Sequence, residues 1–330
     1  MAPLLSARKL TVALPVDGAM VPVLRGVDLS VQRNEFAGLV GESGSGKTLT
    51  ALAILGLLPA PAHLVGGRVE LDGEDLLQSS DSHLRRVRGR RVAMVFQEPV
   101  TALNPVLTVG YQIVEAMQGK GRRRDALEDE ARRLLDLVGL PATTDRLRDY
   151  PHQLSGGQRQ RVMIAMALAA EPELLIADEP TSALDVTMQA QILDLLEDLR
   201  SRLDLAILLI SHDLALVAEI CDRVMVMYAG QIVEQAPAGR VFDSPAHPYT
   251  KALVAAIPRI GVRALDGRLP TLPGQTPDPR NLPDGCAFHP RCAQVLPGCD
   301  SSQPALLPVT AKQQARCVLY ESSSASEGGS

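Results

Sequence analysis

A chain of 330 residues, 46% hydrophobic and 22% charged, has the composition of a folded protein: one large domain with an appendage, or two modest domains. Its net charge of −5 supplies no global basic field that would gather nucleic acid. The first residues carry no signal-peptide pattern, and no apolar run approaches the roughly 18–20 residues of a membrane helix, so a cytosolic protein is expected.

Short β-type and helical runs alternate along the chain. "FAGLV" (Phe36 to Val40) reads as an apolar strand ending in a glycine-rich turn, and "TLTALAILGLL" after it has helical character. "GRVELDG" (Gly67 to Gly73) alternates like a half-exposed antiparallel strand, and "RVAMVFQ" (Arg91 to Gln97) is a further strand. From Tyr111 to Val138 the apolar spacing is helical, with the charged stretch "GKGRRRDALEDEARR" in the middle. "LLIA" (Leu174 to Ala177), "AILLI" (Ala206 to Ile210) and, after its leading arginine, "RVMVMY" (Arg223 to Tyr228) are apolar runs, as parallel strands buried on both faces require. Helical segments around 157–170 and 187–203 lie between them, as βαβ connections demand. Past Ala236 the chain becomes proline-rich and reads as a separate appendage on an extended linker; "ESSSASEGGS" at the end is expected to be disordered.

"GESGSGKT" is a complete P-loop pattern: Gly41, Glu42, Ser43, Gly44, Ser45, Gly46, Lys47 and Thr48. The glycines let successive backbone N–H groups turn toward phosphate oxygens, and the helix that follows adds its partial positive charge. Lys47 would reach the β- and γ-phosphates, and the Thr48 hydroxyl would ligate Mg²⁺. The strand leading in and the helix leading out outweigh a chance glycine-rich turn. "LLIADEP" ends a buried strand in two acids: Asp178 can hold Mg²⁺ through water, and Glu179 can polarise an attacking water.

"LSGGQRQR" (Leu154 to Arg161) places a serine and two glycines at a helix start, a second anion site. The stretch resembles the signature sequence of ATP-binding cassette (ABC) proteins. The resemblance covers about residues 1–260. It implies two cassettes packed head to tail, with Leu154, Ser155, Gly156, Gly157 and Gln158 of one capping the ATP held by the other. It further implies roles for Gln97 (Q-loop, Mg²⁺ and water), for Ser182, Ala183, Leu184 and Asp185 (D-loop, at the dimer interface), and for His212 (switch histidine, γ-phosphate). The implied fold is α/β: a P-loop NTPase cassette with a mixed sheet core, an antiparallel β subdomain and a helical subdomain at about 98–170. The cassette would span 1–240, a cysteine-containing extension 241–320 and a disordered tail 321–330. One departure stands out. No aromatic precedes Phe36, so the adenine would rest on Leu14, Pro15 and Val16 rather than on a ring, losing ~1 kcal/mol of stacking.

"QEPVTALNPVLTVGYQIVE" (Gln97 to Glu115) and "SPAHPYTKALVAAIP" (Ser244 to Pro258) resemble the dipeptide, oligopeptide and nickel importer branch. This implies an ATPase powering peptide import, with nickel or glutathione importers and a soluble non-transport ABC ATPase as alternatives. Implied partners are a second ATPase subunit, by the branch's habit a paralogue, two membrane permease subunits and, indirectly, an extracytoplasmic solute-binding protein. The implied place is the cytoplasmic face of the inner membrane, held peripherally. The basic clusters "RRVRGRR" and "KGRRR" read as solvated surface facing lipid headgroups or partner loops, not nucleic acid, because aromatics are sparse.

Four of the five cysteines crowd the C-terminal region, spaced C-x5-C-x6-C-x17-C: Cys286, Cys292, Cys299 and Cys317. Zinc knuckles use tighter pairs. A larger 4Fe–4S cubane tolerates a looser loop. Spacing alone leaves a cluster, zinc and free thiols open; resemblance of "C-x-F-x-P-R-C" to four-cysteine tails in the peptide branch implies the cluster, in a structural role. His289 lies inside the loop and could substitute as a ligand, though a hydrogen-bonding or solvent-facing role is expected of it, and Cys221 reads as a small core residue.

Overall fold

The computed structural model describes residues 2–117, 123–141, 146–182, 184–257 and 272–321. The chain divides into two compact units: residues 1–31, 37–77 and 211–330 form one, and residues 32–36 and 78–210 the other.

The first unit opens with a long hairpin, Leu5–Val16 and Ala19–Val31. Asp17 and Gly18 turn it with φ of 50° and 81°, the left-handed pair that a two-residue hairpin needs. His63–Leu71 and Glu74–Asp75 extend this antiparallel sheet. A second sheet pairs Phe36–Val40 in parallel with Arg223–Tyr228. Val224, Met225, Val226 and Met227 are all 0% exposed, which explains the unbroken apolar run. Gln231–Pro237 then adds antiparallel to Arg223–Tyr228.

The cysteine-bearing segment is not set apart from this unit. Its strands Leu307–Thr310 and Gln313–Ala315 continue the second sheet, with Glu234 opposite Ala315 and Gln235 opposite Gln314. The fully buried Glu234 carboxylate cements the join. It accepts from the Ala246 N–H (2.8 Å), the His247 N–H (2.7 Å) and Gln313 Nε2 (2.8 Å). The expected separate appendage is thus corrected to an addition to the sheet. The proline-rich run from 258 to 271 lies outside the described residues, as does the tail from 322.

The second unit is built on three parallel strands: Val92–Val95, Leu174–Asp178 in the middle, and Ala206–Ser211. Within the stretch expected to be helical from Tyr111 to Val138 lie the helices Val109–Ala116, capped by Thr108, and Arg124–Leu137; residues 118–122 lie outside the described residues. Gly156–Leu168 and Val186–Leu203 match the two expected crossover helices.

Candidate nucleotide site and cysteine tail

The phosphate loop in the first unit links Phe36–Val40 to the helix Lys47–Ile54. Gly46 caps that helix with φ 108° and no side-chain hydrogen bond, so the first-turn N–H groups are not taken up by a capping side chain. A Cβ at Gly46 would meet Leu24 Cδ2 at 2.7 Å and Met227 Cε at 2.9 Å, and one at Gly41 would meet the Met227 carbonyl at 2.2 Å. The crest at Gly44 is open, with nothing within 4 Å of a Cβ there. Lys47, 5% exposed, turns its Nζ back on the Gly41 (2.8 Å) and Glu42 (3.1 Å) carbonyls. Ser45 Oγ is buried and has no hydrogen-bond partner among the described residues. Ser43 on the loop and Thr48 in the first turn of the helix are exposed. Glycines that pack below an open crest, donors at a helix start and a buried cation fit a phosphate chain. Leu14, Pro15 and Val16 end the first hairpin strand, half-buried, exposed and half-buried. His212, in the same unit, is exposed, and its neighbour Asp213 caps the helix Leu214–Ile220.

In the second unit Asp178 ends the middle strand and is 2% exposed. Glu179 follows with φ 46°, a left-handed conformation that costs a non-glycine residue about 1–2 kcal/mol. Gln97 Nε2 donates to Glu179 Oε2 at 3.0 Å, so two residues 82 positions apart are brought together. Leu154 is buried beneath the signature stretch, while Ser155 and Gly156 are exposed. Ser155 caps the helix Gly156–Leu168 reciprocally with Gln158: Ser155 Oγ accepts the Gln158 N–H (3.3 Å), and Gln158 Oε1 accepts the Ser155 N–H (3.0 Å). At Gly157 a Cβ would meet Met188 Cε at 2.1 Å, so this helix start lies directly on the helix that Asp185 caps. Asp185 accepts the Met188 N–H at 2.9 Å, Ser182 Oγ donates to the Glu179 carbonyl at 3.2 Å, and Leu184 is half-buried. Ala183 lies outside the described residues.

All four tail cysteines line one small cavity of the first unit, together with His247 and Phe288. Burial pushes the thiols of Cys286, Cys292 and Cys317 up. The Gln294 N–H reaches Cys292 Sγ at 3.3 Å and the Leu296 N–H reaches Cys299 Sγ at 3.4 Å, the kind of backbone donation that steadies cluster-bound thiolates. The cavity measures about 10 Å³, room for at most one water and too small for a cubane as it stands. Among the described residues no three His, Cys, Asp or Glu side chains are grouped to hold a metal ion. His289 Nδ1 pairs with the Cys286 carbonyl at 2.9 Å, the hydrogen-bonding role expected of it. Cys221 is 7% exposed, at the C-cap of Leu214–Ile220 rather than within the helix.

Sequence reading missed Arg291, inside the quoted "P-R-C". It is 6% exposed and forks onto Glu42 of the phosphate loop, with Nη1 to Oε2 at 2.7 Å and Nη2 to Oε1 at 3.0 Å. Tyr228, Tyr249 and Phe288 pack ring against ring around it, centroids 4.6–5.3 Å apart.

Residues 24–182 match the family described as "ABC transporter", and residues 233–299 match "Oligopeptide/dipeptide transporter, C-terminal region". A Brucella abortus (strain 2308) protein named for peptide import ATP binding is 49% identical over 322 residues, 96% of this chain and 95% of that protein. The chain is an ABC transporter ATPase. The Escherichia coli (strain K12) dipeptide transport ATP-binding protein DppD is 46% identical to this ATPase over 316 residues, 95% of the chain and 96% of DppD. The dimeric ATP-binding cassette MJ0796, solved in a post-hydrolysis state with ADP and Pi, superposes with a TM-score of 0.64 at 26% identity, covering 71% of the ATPase and 98% of that chain. The ATPase therefore has the α/β cassette fold that its motifs imply. Among its described residues no helix is long and apolar enough to cross a membrane.

Proposed function

We propose that this ATPase powers import of di- or oligopeptides through a separate membrane permease, from the cytoplasmic face of the inner membrane. The observation that carries the reading is end-to-end similarity, tail included, to proteins named for peptide and dipeptide transport. Gly41 to Thr48 would cradle the phosphates, with Lys47 leaving the Gly41 and Glu42 carbonyls for phosphate oxygens. Thr48, Gln97 and Asp178 are the residues that would hold Mg²⁺, which would neutralise charge on the β- and γ-phosphates. Glu179 is the general base for the attacking water, oriented by Gln97, and His212 answers the γ-phosphate. Leu154 to Gln158 and Ser182 to Asp185 would face a second ATPase subunit, a paralogue in our reading, so that closure on ATP is an event of the pair. Each of two permease subunits would dock a helix on its ATPase, and we propose as its place the groove of about 590 Å³ lined by Tyr111, Arg124, Glu128, Arg132 and Arg148. The solute-binding protein then acts only through the permease.

For the tail we propose Cys286, Cys292, Cys299 and Cys317 as ligands of a 4Fe–4S cluster. Support comes from four thiols on one cavity and two N–H···S contacts. The cluster would supply cross-linking rather than electron transfer, in a segment with little apolar core of its own. Iron and sulfide assay of anaerobically purified protein should find about four of each per chain; a colourless protein with neither would end this assignment. For the motor, Glu179→Gln in the assembled transporter should lower ATP turnover at least about 100-fold while ATP binding persists. Unchanged turnover would remove Glu179 from its role. Uptake of labelled dipeptide by the reconstituted transporter tests the cargo, and ATP-driven uptake of nickel without peptide uptake would overturn it.

A further inference from the structure

Glu42 of the phosphate loop is held by several other segments of the first unit. Its backbone N–H donates to Tyr249 Oη at 2.9 Å. Its carboxylate accepts both guanidinium arms of Arg291, and Thr276 Oγ1 at 3.2 Å. Its carbonyl, with that of Gly41, is where Lys47 Nζ rests. Arg291 is itself fixed. Its Nε donates to the Pro273 carbonyl at 2.7 Å, its Nη1 reaches Tyr228 Oη at 3.3 Å, and its Cζ lies 5.8 Å from the Tyr228 ring centroid and 5.9 Å from that of Phe288. A planar guanidinium anchored through its Nε and Nη1 and packed against two rings holds a carboxylate in one place and one orientation, which a lysine cannot do.

We propose that Arg291 is a positioning residue for nucleotide binding: acting through Glu42, the cysteine tail holds the near end of the phosphate loop in its ATP-receiving shape. The loop's Gly41–Glu42 step is where Lys47 and the backbone donors must be set before a phosphate arrives, and a preset loop spares the ordering cost at binding. Cys292 follows Arg291 directly and Phe288 precedes it by three residues, so the segment that carries the thiols also sets the loop. The inference rests on reading Gly41 to Thr48 as the phosphate site.

The test is ATP affinity of the full chain, read by titration with a fluorescent ATP analogue, alongside melting without nucleotide. Arg291→Met should weaken binding about tenfold, Arg291→Lys about threefold and Glu42→Gln about as much as Arg291→Met. Because the residues act through one another, the Glu42→Gln/Arg291→Met double variant should bind no worse than the weaker single. If Arg291 served only to fasten the tail, Arg291→Lys and Glu42→Gln would melt lower yet bind ATP like the wild type, which overturns the proposal. Effects that multiply in the double variant also overturn it. Should Arg291→Met fail to fold, Arg291→Lys and Glu42→Gln still decide. Lys47→Ala separates the two readings. Wild-type affinity in Lys47→Ala removes the phosphate site itself, whereas lost binding there with unchanged Arg291→Lys and Glu42→Gln removes only the role of Arg291.

Discussion

Ile176 and Glu234 are both 0% exposed, one in the middle strand of the second unit and one where the tail joins the first. Ile176 lies between apolar register partners on the two flanking strands, Met94 and Leu208. Its contribution is area and fit. Glu234 gathers three donors from two other segments, and the tail's register hangs on them. Burial by area degrades gradually when atoms are lost, whereas a buried polar hub fails at once because its partners are left unsatisfied. The cassette core is thus tolerant in detail, and the tail is specific.

Three measurements would break or sharpen that contrast. Glu234→Ala should cost about 3 kcal/mol or more, as three buried donors lose their acceptor, and should expose the segment around 272–321 to limited proteolysis first. A shift of the urea midpoint no larger than that of a core truncation would remove the distinction. Ile176→Val should cost about 1 kcal/mol, with the same cooperative transition and undiminished ATP turnover. The smallest effect concerns a surface pair. Arg91 donating to Glu173 holds that carboxyl below its ordinary value of 4.5. The folded state then binds the proton less readily than the unfolded chain, so the pair's contribution is full above about pH 4.5 and fades as the pH falls through the lower folded value. With side chains 29% and 34% exposed, the pair is worth under about 1 kcal/mol, and Arg91→Met should flatten the acid limb of the stability curve by no more than that.

What the residues disclosed in advance follows the same division. Wholly apolar runs such as "LLIA" and "AILLI" identify parallel strands without help from distant residues, and the phosphate loop announces itself because all its parts are consecutive. The first hairpin escaped notice although Asp17-Gly18 marked its turn. Register shifts after Ala7, Leu10 and Val12 break the alternation that would have revealed the strands. The tail strands Leu307–Thr310 and Gln313–Ala315 are too short to carry a pattern, and they exist because Gln231–Pro237 offers an edge. Gln97 with Glu179 needed the family resemblance, and Arg291 with Glu42, 249 positions apart, had no local signal beyond an arginine between a proline and a cysteine.

The reciprocal box of Ser155 and Gln158 makes anion capture at that helix start an exchange rather than an addition. An incoming oxygen that took the Gln158 N–H would have to displace the Ser155 hydroxyl from it. What remains to favour the visitor is its charge against the positive end of the helix. If this helix start receives an anion, the negative charge presented would therefore weigh more at the Gln158 N–H than the hydrogen bond itself.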